Sequence, residues 1–132
     1  MDAEAIRDAF APFGTVDLRK MFGGTGIYRD KVMFALEAYG ELYLKAAPED
    51  EPAFAAAGCR PFIYDGKVDP ATGAAKPVKL GYWTVPDAAF DDADMLREWA
   101  GRAFATARAA ADRKVAMLTD LRARSTRTPD PA

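Results

Sequence analysis

The chain has 132 residues, half of them hydrophobic and 29% charged, a composition typical of one globular domain rather than of a disordered chain. Its net charge of −2 excludes a global positive field that would draw the whole chain onto nucleic acid. Histidine is absent, so the commonest general base and metal ligand is missing. Cys59 is the only cysteine, which excludes an internal disulfide. With no recognisable signal peptide and no apolar run of membrane-spanning length, we expect a cytoplasmic protein.

The first half of the chain predicts a helix followed by an antiparallel meander. Residues 2–10 form a short amphipathic pattern that ends before Pro12 and Gly14. Residues 16–22 then predict a strand that runs into a glycine-rich turn. Segments 26–28, 32–38 and 42–46 predict further strands, joined by tight turns at 29–31 and 39–41. Three or four short strands at this spacing favour consecutive hairpins.

The second half predicts two helices around one more pair of strands. Residues 49–57 read as a helix stopped by Gly58, and residues 61–64 and 78–85 read as strands. The segment 65–76 between them is rich in glycine and proline and predicts the longest irregular loop. After Pro86, an acidic stretch opens a long helix whose apolar residues continue to Leu121. Its last turns are expected to extend past the domain.

The predicted fold is therefore α+β and two-layered, with an antiparallel sheet of five to six strands and helices on one face. In shorthand the order is α-β(3)-α-β(2)-α, with three or four strands in the first group. We expect a domain at 1–107, a basic extension of the C-terminal helix at 108–123, and a disordered tail at 124–132 that has two prolines and no periodicity.

Several blocks of the sequence resemble the N-terminal domain of the TfoX (Sxy) family. They are 19–28 (RKMFGGTGIY), 32–36 (VMFAL), 41–45 (ELYLK) and 81–86 (GYWTVP), with Phe54, Gly58, 61–62, Leu96 and Trp99 in the same order. The resemblance covers roughly residues 3–107. It implies a fold similar to that of secretion chaperones and a link to regulation of competence for DNA uptake, where TfoX-type proteins act as coactivators beside a DNA-bound transcription factor. Full-length members carry a second, C-terminal domain, which this chain is expected to lack.

Three features admit a chemical as well as a structural interpretation. The glycine-rich run 23–26 could cradle a phosphate, but a strand rather than a helix follows it, so a turn or bulge is favoured. Cys59 could be a nucleophile, but no histidine is present to activate it, so burial is favoured. The acidic residues after Pro86 lack the spacing of a calcium loop, so helix capping and a solvated face are favoured. They are Asp87, Asp91, Asp92 and Asp94. We therefore predict no catalytic residue, no metal and no cofactor.

Alternation along the strands predicts that both sheet faces are apolar, although helices cover only one of them. The set expected to face the helices is Val32, Phe34, Leu36, Leu42 and Leu44. The candidate interaction face on the other side is Met33, Tyr43, Tyr28 and Trp83. Exposed aromatic and apolar residues mark protein interfaces. Cover by the chain's own long helix or loop is the alternative.

Basic residues in the C-terminal segment are the last candidate contacts. Those proposed to contact phosphates are Arg113, Lys114, Arg122, Arg124 and Arg127. They would give weak, salt-dependent binding without sequence preference, and a solvated helix end is the alternative.

The sequence as a whole favours a non-enzymatic regulatory or adaptor module that binds a protein, either a transcription factor or a second copy in a homodimer. A weakly nucleic-acid-associated protein and a small-molecule binder or enzyme without histidine are the alternatives.

Overall fold

The computed structural model describes residues 1–21 and 23–125. The elements, in chain order, are α1 (Ala3–Phe10), β1 (Asp17–Met21), β2 (Gly24–Arg29), β3 (Val32–Ala38), β4 (Glu41–Lys45), α2 (Glu51–Ala56), β5 (Pro61–Val68), β6 (Ala75–Thr84) and α3 (Ala93–Ser125). Short 3-10 turns at Pro48–Asp50 and Asp87–Phe90 precede α2 and α3. The predicted α+β fold with a long C-terminal helix is confirmed. The first group of strands has four members, where the shorthand counted three.

All six strands join one antiparallel sheet in the order β1-β2-β3-β4-β6-β5. The β2–β3 and β3–β4 hairpins turn at Asp30-Lys31 and Tyr39-Gly40, and all four residues have positive φ. Two-residue turns of this kind match the right-handed twist of the strands they connect. Because β6 pairs with β4, the last hairpin places β5 at the outer edge of the sheet.

The β5–β6 hairpin replaces most of the irregular loop predicted at 65–76. Asp65 pairs with Pro77 and Val68 with Ala75, so both strands continue well into that segment. The register shifts between 61 and 63 and again between 65 and 68. Such interruptions tolerate glycine and proline inside a strand, which is why the composition of this segment resembles that of a loop.

The three helices cover one face of the sheet, called here the helix-covered face. Ile6 of α1, Phe54 of α2 and Leu96 of α3 belong to one buried cluster with residues of the strands. Phe34 lies in this cluster, with its ring centroid 5.5 Å from that of Phe10 in an edge-to-face arrangement. Burial of this apolar surface supplies the main stabilisation of the fold.

Only the first part of α3 contacts the sheet. Every residue from 112 to 125 is exposed, and this segment is called the projecting end. It is about 21 Å long at about 1.5 Å per residue. Arg124 and Ser125 are helical, although the sequence places them in the disordered tail. The remainder of that predicted tail, 126–132, lies outside the described residues.

No helix within 1–21 and 23–125 combines the length and the apolar character needed to cross a membrane.

Candidate interaction groove on the open sheet face

A β-bulge in β3 decides which side chains reach each face of the sheet. Ile27 of β2 pairs with Ala35, while the next residue of β2 pairs with Met33, so Phe34 is an extra residue on β3. A bulge of this kind reverses the alternation of side chains. Phe34 and Ala35 both join the helix-covered cluster, whereas Leu36 belongs to a separate cluster on the opposite face, called here the open face. The predicted position of Leu36 against the helices is therefore wrong.

The open face carries its own small apolar cluster. Its buried members are Leu36, Ala38, Tyr43 and Tyr82, and Met33 and Phe62 pack against them. The ring centroids of Tyr43 and Phe62 are 5.0 Å apart and meet edge to face. Tyr28 pairs with Met33 across β2 and β3 and so shares its face. Three of the four side chains of the candidate interaction face thus lie together on the open face.

The fourth, Trp83, lies on the helix-covered face, so its predicted place is wrong. It pairs with Leu44 of β4, and its ring centroid lies 6.2 Å from that of Phe54 in α2. The neighbouring Tyr82 occupies the open face instead. Alternation requires these two consecutive residues to face opposite ways, but the pairing with β4 decides which one meets the helices.

A groove of about 690 Å³ lies on the open face between the start of β2 and strand β5. The side chains and backbone that line it are those of Met21, Gly23, Gly24, Thr25, Leu36, Glu37, Ala38, Tyr39, Phe62, Ile63, Tyr64, Asp65 and Leu80. The two acidic side chains among these residues point away from the groove. Glu37 pairs with Leu42 of the helix-covered cluster, and Asp65 follows Tyr64, whose ring contacts Phe62 on the open face. Tyr64 and Leu80 are exposed although they are large and apolar. The groove is thus an apolar depression.

Two tyrosines of the open face, Tyr43 and Tyr82, have raised pKa values. Burial, with a further contribution from Tyr28, raises the pKa of Tyr82 to about 12. Burial also raises the pKa of Tyr43, whose hydroxyl donates a hydrogen bond to Glu41 Oε2 at 3.0 Å. That hydrogen bond, with another from Arg60, holds the pKa of Glu41 below its usual value. Tyr43 and Tyr82 therefore present uncharged aromatic surface at physiological pH.

The groove and the bulge fall inside a recognisable family domain. Residues 8–107 match the model of the TfoX N-terminal domain. The chain belongs to the TfoX N-terminal domain family. One curated relative, the DNA transformation protein TfoX1 of Aliivibrio fischeri (strain ATCC 700601 / ES114), is 36% identical to it over 59 residues. That stretch covers 45% of this chain and 28% of the relative. The projecting end of this TfoX N-terminal domain lies beyond the matched range.

The glycine-rich run, the cysteine and the acidic residues that the sequence offered for chemistry have structural roles in the TfoX domain. A Cβ on Gly24 would stand 2.1 Å from the carbonyl oxygen of Glu37, so glycine there allows β2 and β3 to pair closely. Cys59 is buried, and that burial raises the pKa of its thiol. Asp92 Oδ1 accepts the Met95 N–H at 3.1 Å and caps α3. Within the described part of the chain, no three Cys, Asp or Glu side chains gather to hold a metal ion.

The basic side chains of the projecting end point in several directions. Arg113, Lys114, Arg122 and Arg124 are all exposed, and Arg127 lies outside the described residues. At about 3.6 residues per turn these positions are spread around the helix instead of sharing one side. Arg124 also pairs with Asp120 at 3.2 Å. This arrangement differs from the single basic surface expected of a nucleic-acid-binding helix.

Proposed function

We propose that this TfoX domain is a non-enzymatic regulatory module that binds a protein partner in the groove of its open sheet face. The observation that carries the proposal is the apolar lining of that groove, because large exposed apolar patches on soluble proteins mark interaction sites. The relative's name, DNA transformation protein, supports a role connected with DNA transformation. We propose that the domain regulates DNA uptake and acts in the cytoplasm.

The lining favours binding over catalysis. The Glu37 carboxylate is engaged by the Gly40 N–H at 3.0 Å and by the N-terminal ammonium at 3.8 Å, so it serves the β3–β4 turn. Catalytic sites usually combine a nucleophile, a base and an orienting group within hydrogen-bond reach. The described lining residues supply mainly apolar surface instead.

The same lining defines the chemistry of the partner. An apolar groove suits an amphipathic segment whose apolar side chains enter the groove while its polar side chains stay in water. A helix binds such a groove through side chains one turn apart. A partner of this kind needs no nucleic acid to join the complex.

A pair of matched variants on β5 tests this proposal. Tyr64 lines the groove, where its ring contacts Phe62, and is 41% exposed, whereas Val68 lies outside the groove on the same strand and is 61% exposed. Immobilised wild-type chain, Tyr64→Glu and Val68→Glu would be used to capture proteins from a lysate, with and without nuclease. We expect Tyr64→Glu to lose partners that Val68→Glu retains, because only the first places a charge in the groove.

Nuclease separates this proposal from the alternative that the basic projecting end binds nucleic acid. We expect the captured proteins to survive nuclease treatment. Equal capture by both variants would contradict the groove as the binding surface. Loss of all captured proteins on nuclease treatment would favour the nucleic-acid alternative, which a gel-shift titration at low salt would then measure.

A further inference from the structure

Residues 47–58, called here the α2 segment, are attached to the domain through one buried side chain. The segment consists of the 3-10 turn Pro48–Asp50, helix α2 and the turn that follows it. Ala46 and Cys59 on either side are buried, but within this fully described segment the buried residue is Phe54. A helix of six residues is not stable on its own in water. The packing of Phe54 and contacts at the surface must therefore hold the segment in place.

Phe54 packs against the two tryptophans of the chain. Its ring centroid lies 4.7 Å from that of Trp99 in α3 and 6.2 Å from that of Trp83 in β6. Phe54 and Trp83 belong to the buried cluster of the helix-covered face, and Trp99 packs against that cluster. The position of α2 therefore decides whether this aromatic surface is covered or exposed.

Two ion pairs connect the acidic start of α2 to its neighbours. Asp50 accepts a hydrogen bond from the Arg102 guanidinium of α3 at 3.1 Å, and Glu51 pairs with Lys79 of β6. Each cation also lies 5.2 Å from the centroid of an indole ring, Arg102 over that of α3 and Lys79 over that of β6. All four charged side chains are between 24% and 46% exposed, so dissolved salt weakens both pairs.

A buried N–H group of the aromatic surface opposes the covered arrangement. Trp83 is 8% exposed, and its Nε1 has no hydrogen-bond partner among the described residues. A buried donor without an acceptor costs free energy, which contact with water would restore. Phe54 and Lys79 lie against this ring, and both are connected to the α2 segment. Movement of the segment would therefore admit water to the indole.

We propose that the α2 segment is a lid that opens locally, without unfolding of the sheet, and that its two ion pairs control how often it opens. Elements with few buried apolar contacts open in this way at a low free energy. Opening exposes Phe54, Trp83 and Trp99, so the lid controls access to a second aromatic surface. That surface lies on the helix-covered face, and the proposal does not depend on the function of the groove.

Modification of the Cys59 thiol measures the opening of the lid. Cys59 follows the segment directly and is buried, and its N–H donates a hydrogen bond to the Phe54 carbonyl at 3.0 Å. A thiol reagent therefore reaches it only when the lid or the whole domain opens. Low concentrations of urea distinguish the two events, because global unfolding responds to urea with the full equilibrium m value and local opening responds weakly. We expect a labelling rate that is nearly independent of urea and faster than global unfolding allows.

Variants that remove one ion pair test the control of the lid. Lys79→Met and Arg102→Met lose the charge but keep an apolar stem. We expect labelling about threefold faster in each and about tenfold faster in the double variant, since an exposed pair contributes a factor of roughly this size. Lys45→Met removes a cation that lies 5.2 Å from a tyrosine ring on the open face, and Arg97→Met breaks an ion pair within α3. Both controls leave the pairs of the α2 segment in place and should label at the wild-type rate.

Salt provides a check that is specific to the ion pairs. Raising sodium chloride from about 0.1 M to about 1 M shortens the screening length from about 10 Å to about 3 Å. Labelling of the wild type should become severalfold faster, whereas the double variant should respond little. A variant that is merely less stable would reveal itself by a labelling rate that rises steeply with urea. Labelling that follows global unfolding, a salt response that persists in the double variant, or equal rates in controls and pair variants would each overturn the proposal.

Discussion

Replacing one leucine on each face of the sheet with alanine should lower the free energy of unfolding by different amounts. The loss should be larger on the helix-covered face, where a closed cavity remains, than on the open face. Leu44 is fully buried on the helix-covered face, and Leu36 is 4% exposed on the open face, where it lines the groove. Leu→Ala changes cost about 2–5 kcal/mol, and the spread depends on whether a closed cavity remains. Leu44→Ala leaves such a cavity, so we expect a loss of about 4 kcal/mol. Leu36→Ala only enlarges the groove, so we expect about 2 kcal/mol.

Equilibrium unfolding in urea measures both losses, with an unchanged m value as the sign that the unfolded state is the same. The difference of about 2 kcal/mol should also appear as a melting temperature roughly 8 °C lower for Leu44→Ala than for Leu36→Ala. Leu36→Ala should in addition weaken binding in the groove, whereas Leu44→Ala should not. Equal losses for both variants would refute the bulge-induced turning of Leu36 away from the helices.

Three further outcomes follow from the same contacts. The pKa of Tyr82 is about 12 in the folded state, whereas an unfolded tyrosine ionises near 10. The stability that comes from its burial is therefore fully present below pH 10, and the free energy of unfolding should fall by up to about 3 kcal/mol between pH 10 and 12. Denaturant unfolding at a series of pH values measures this fall. Gly24→Ala should destabilise the domain or prevent its folding, because the added Cβ meets the backbone of β3. Gly101→Ala in α3 adds a Cβ in open space and should stabilise the domain by about 0.5–1 kcal/mol. Thermal unfolding measures both effects. Asp92→Ala should cost about 1 kcal/mol in chemical unfolding through the lost cap, and the neighbouring Asp91→Ala should cost close to nothing.

Each of these three predictions would be contradicted by a specific result. Loss of all tyrosine protons together near pH 10 in a folded sample would show that Tyr82 is not buried from solvent. Wild-type stability in Gly24→Ala would show that β2 and β3 do not approach so closely. Equal effects of the two aspartate variants would mean that neither side chain caps α3.

The elements of the fold are predictable from the chain because each rests on local chemistry. The two-residue turns at Asp30-Lys31 and Tyr39-Gly40, the helix stop at Gly58 and the acidic start of α3 are all visible in short windows of sequence. The length of β5 and β6 is not, because Gly66 and Pro77 are typical of loops and only their pairing across the hairpin makes them strand residues.

The candidate site is predictable only in part, because face assignment depends on register. Met33, Tyr43 and Tyr28 share the open face, but the extra residue at Phe34 inverts the remainder of β3 and moves Leu36. Trp83 is misplaced for a similar reason, since its face is decided by pairing with β4 far away in the sequence.

Sequence reasoning also misses Phe62 and Tyr82 as members of the open face. Phe62 lies within a register shift in β5, and the position of Tyr82 follows from the same long-range pairing that moves Trp83. The signal available in the sequence is that Tyr82 and Trp83 are adjacent, so that one of the pair must face each side. Choosing between them requires the neighbouring strand.

The interrupted ladder of β5 has a consequence for solubility. An outer strand with an unbroken row of free N–H and C=O groups can template the addition of further strands without limit. Two register shifts within eight residues break that row in β5. At the other border β1 is only five residues long and includes Asp17, Arg19 and Lys20, whose charges oppose strand addition. Fibre growth through either border of the sheet is therefore disfavoured, although exposed valine and isoleucine lie on β5.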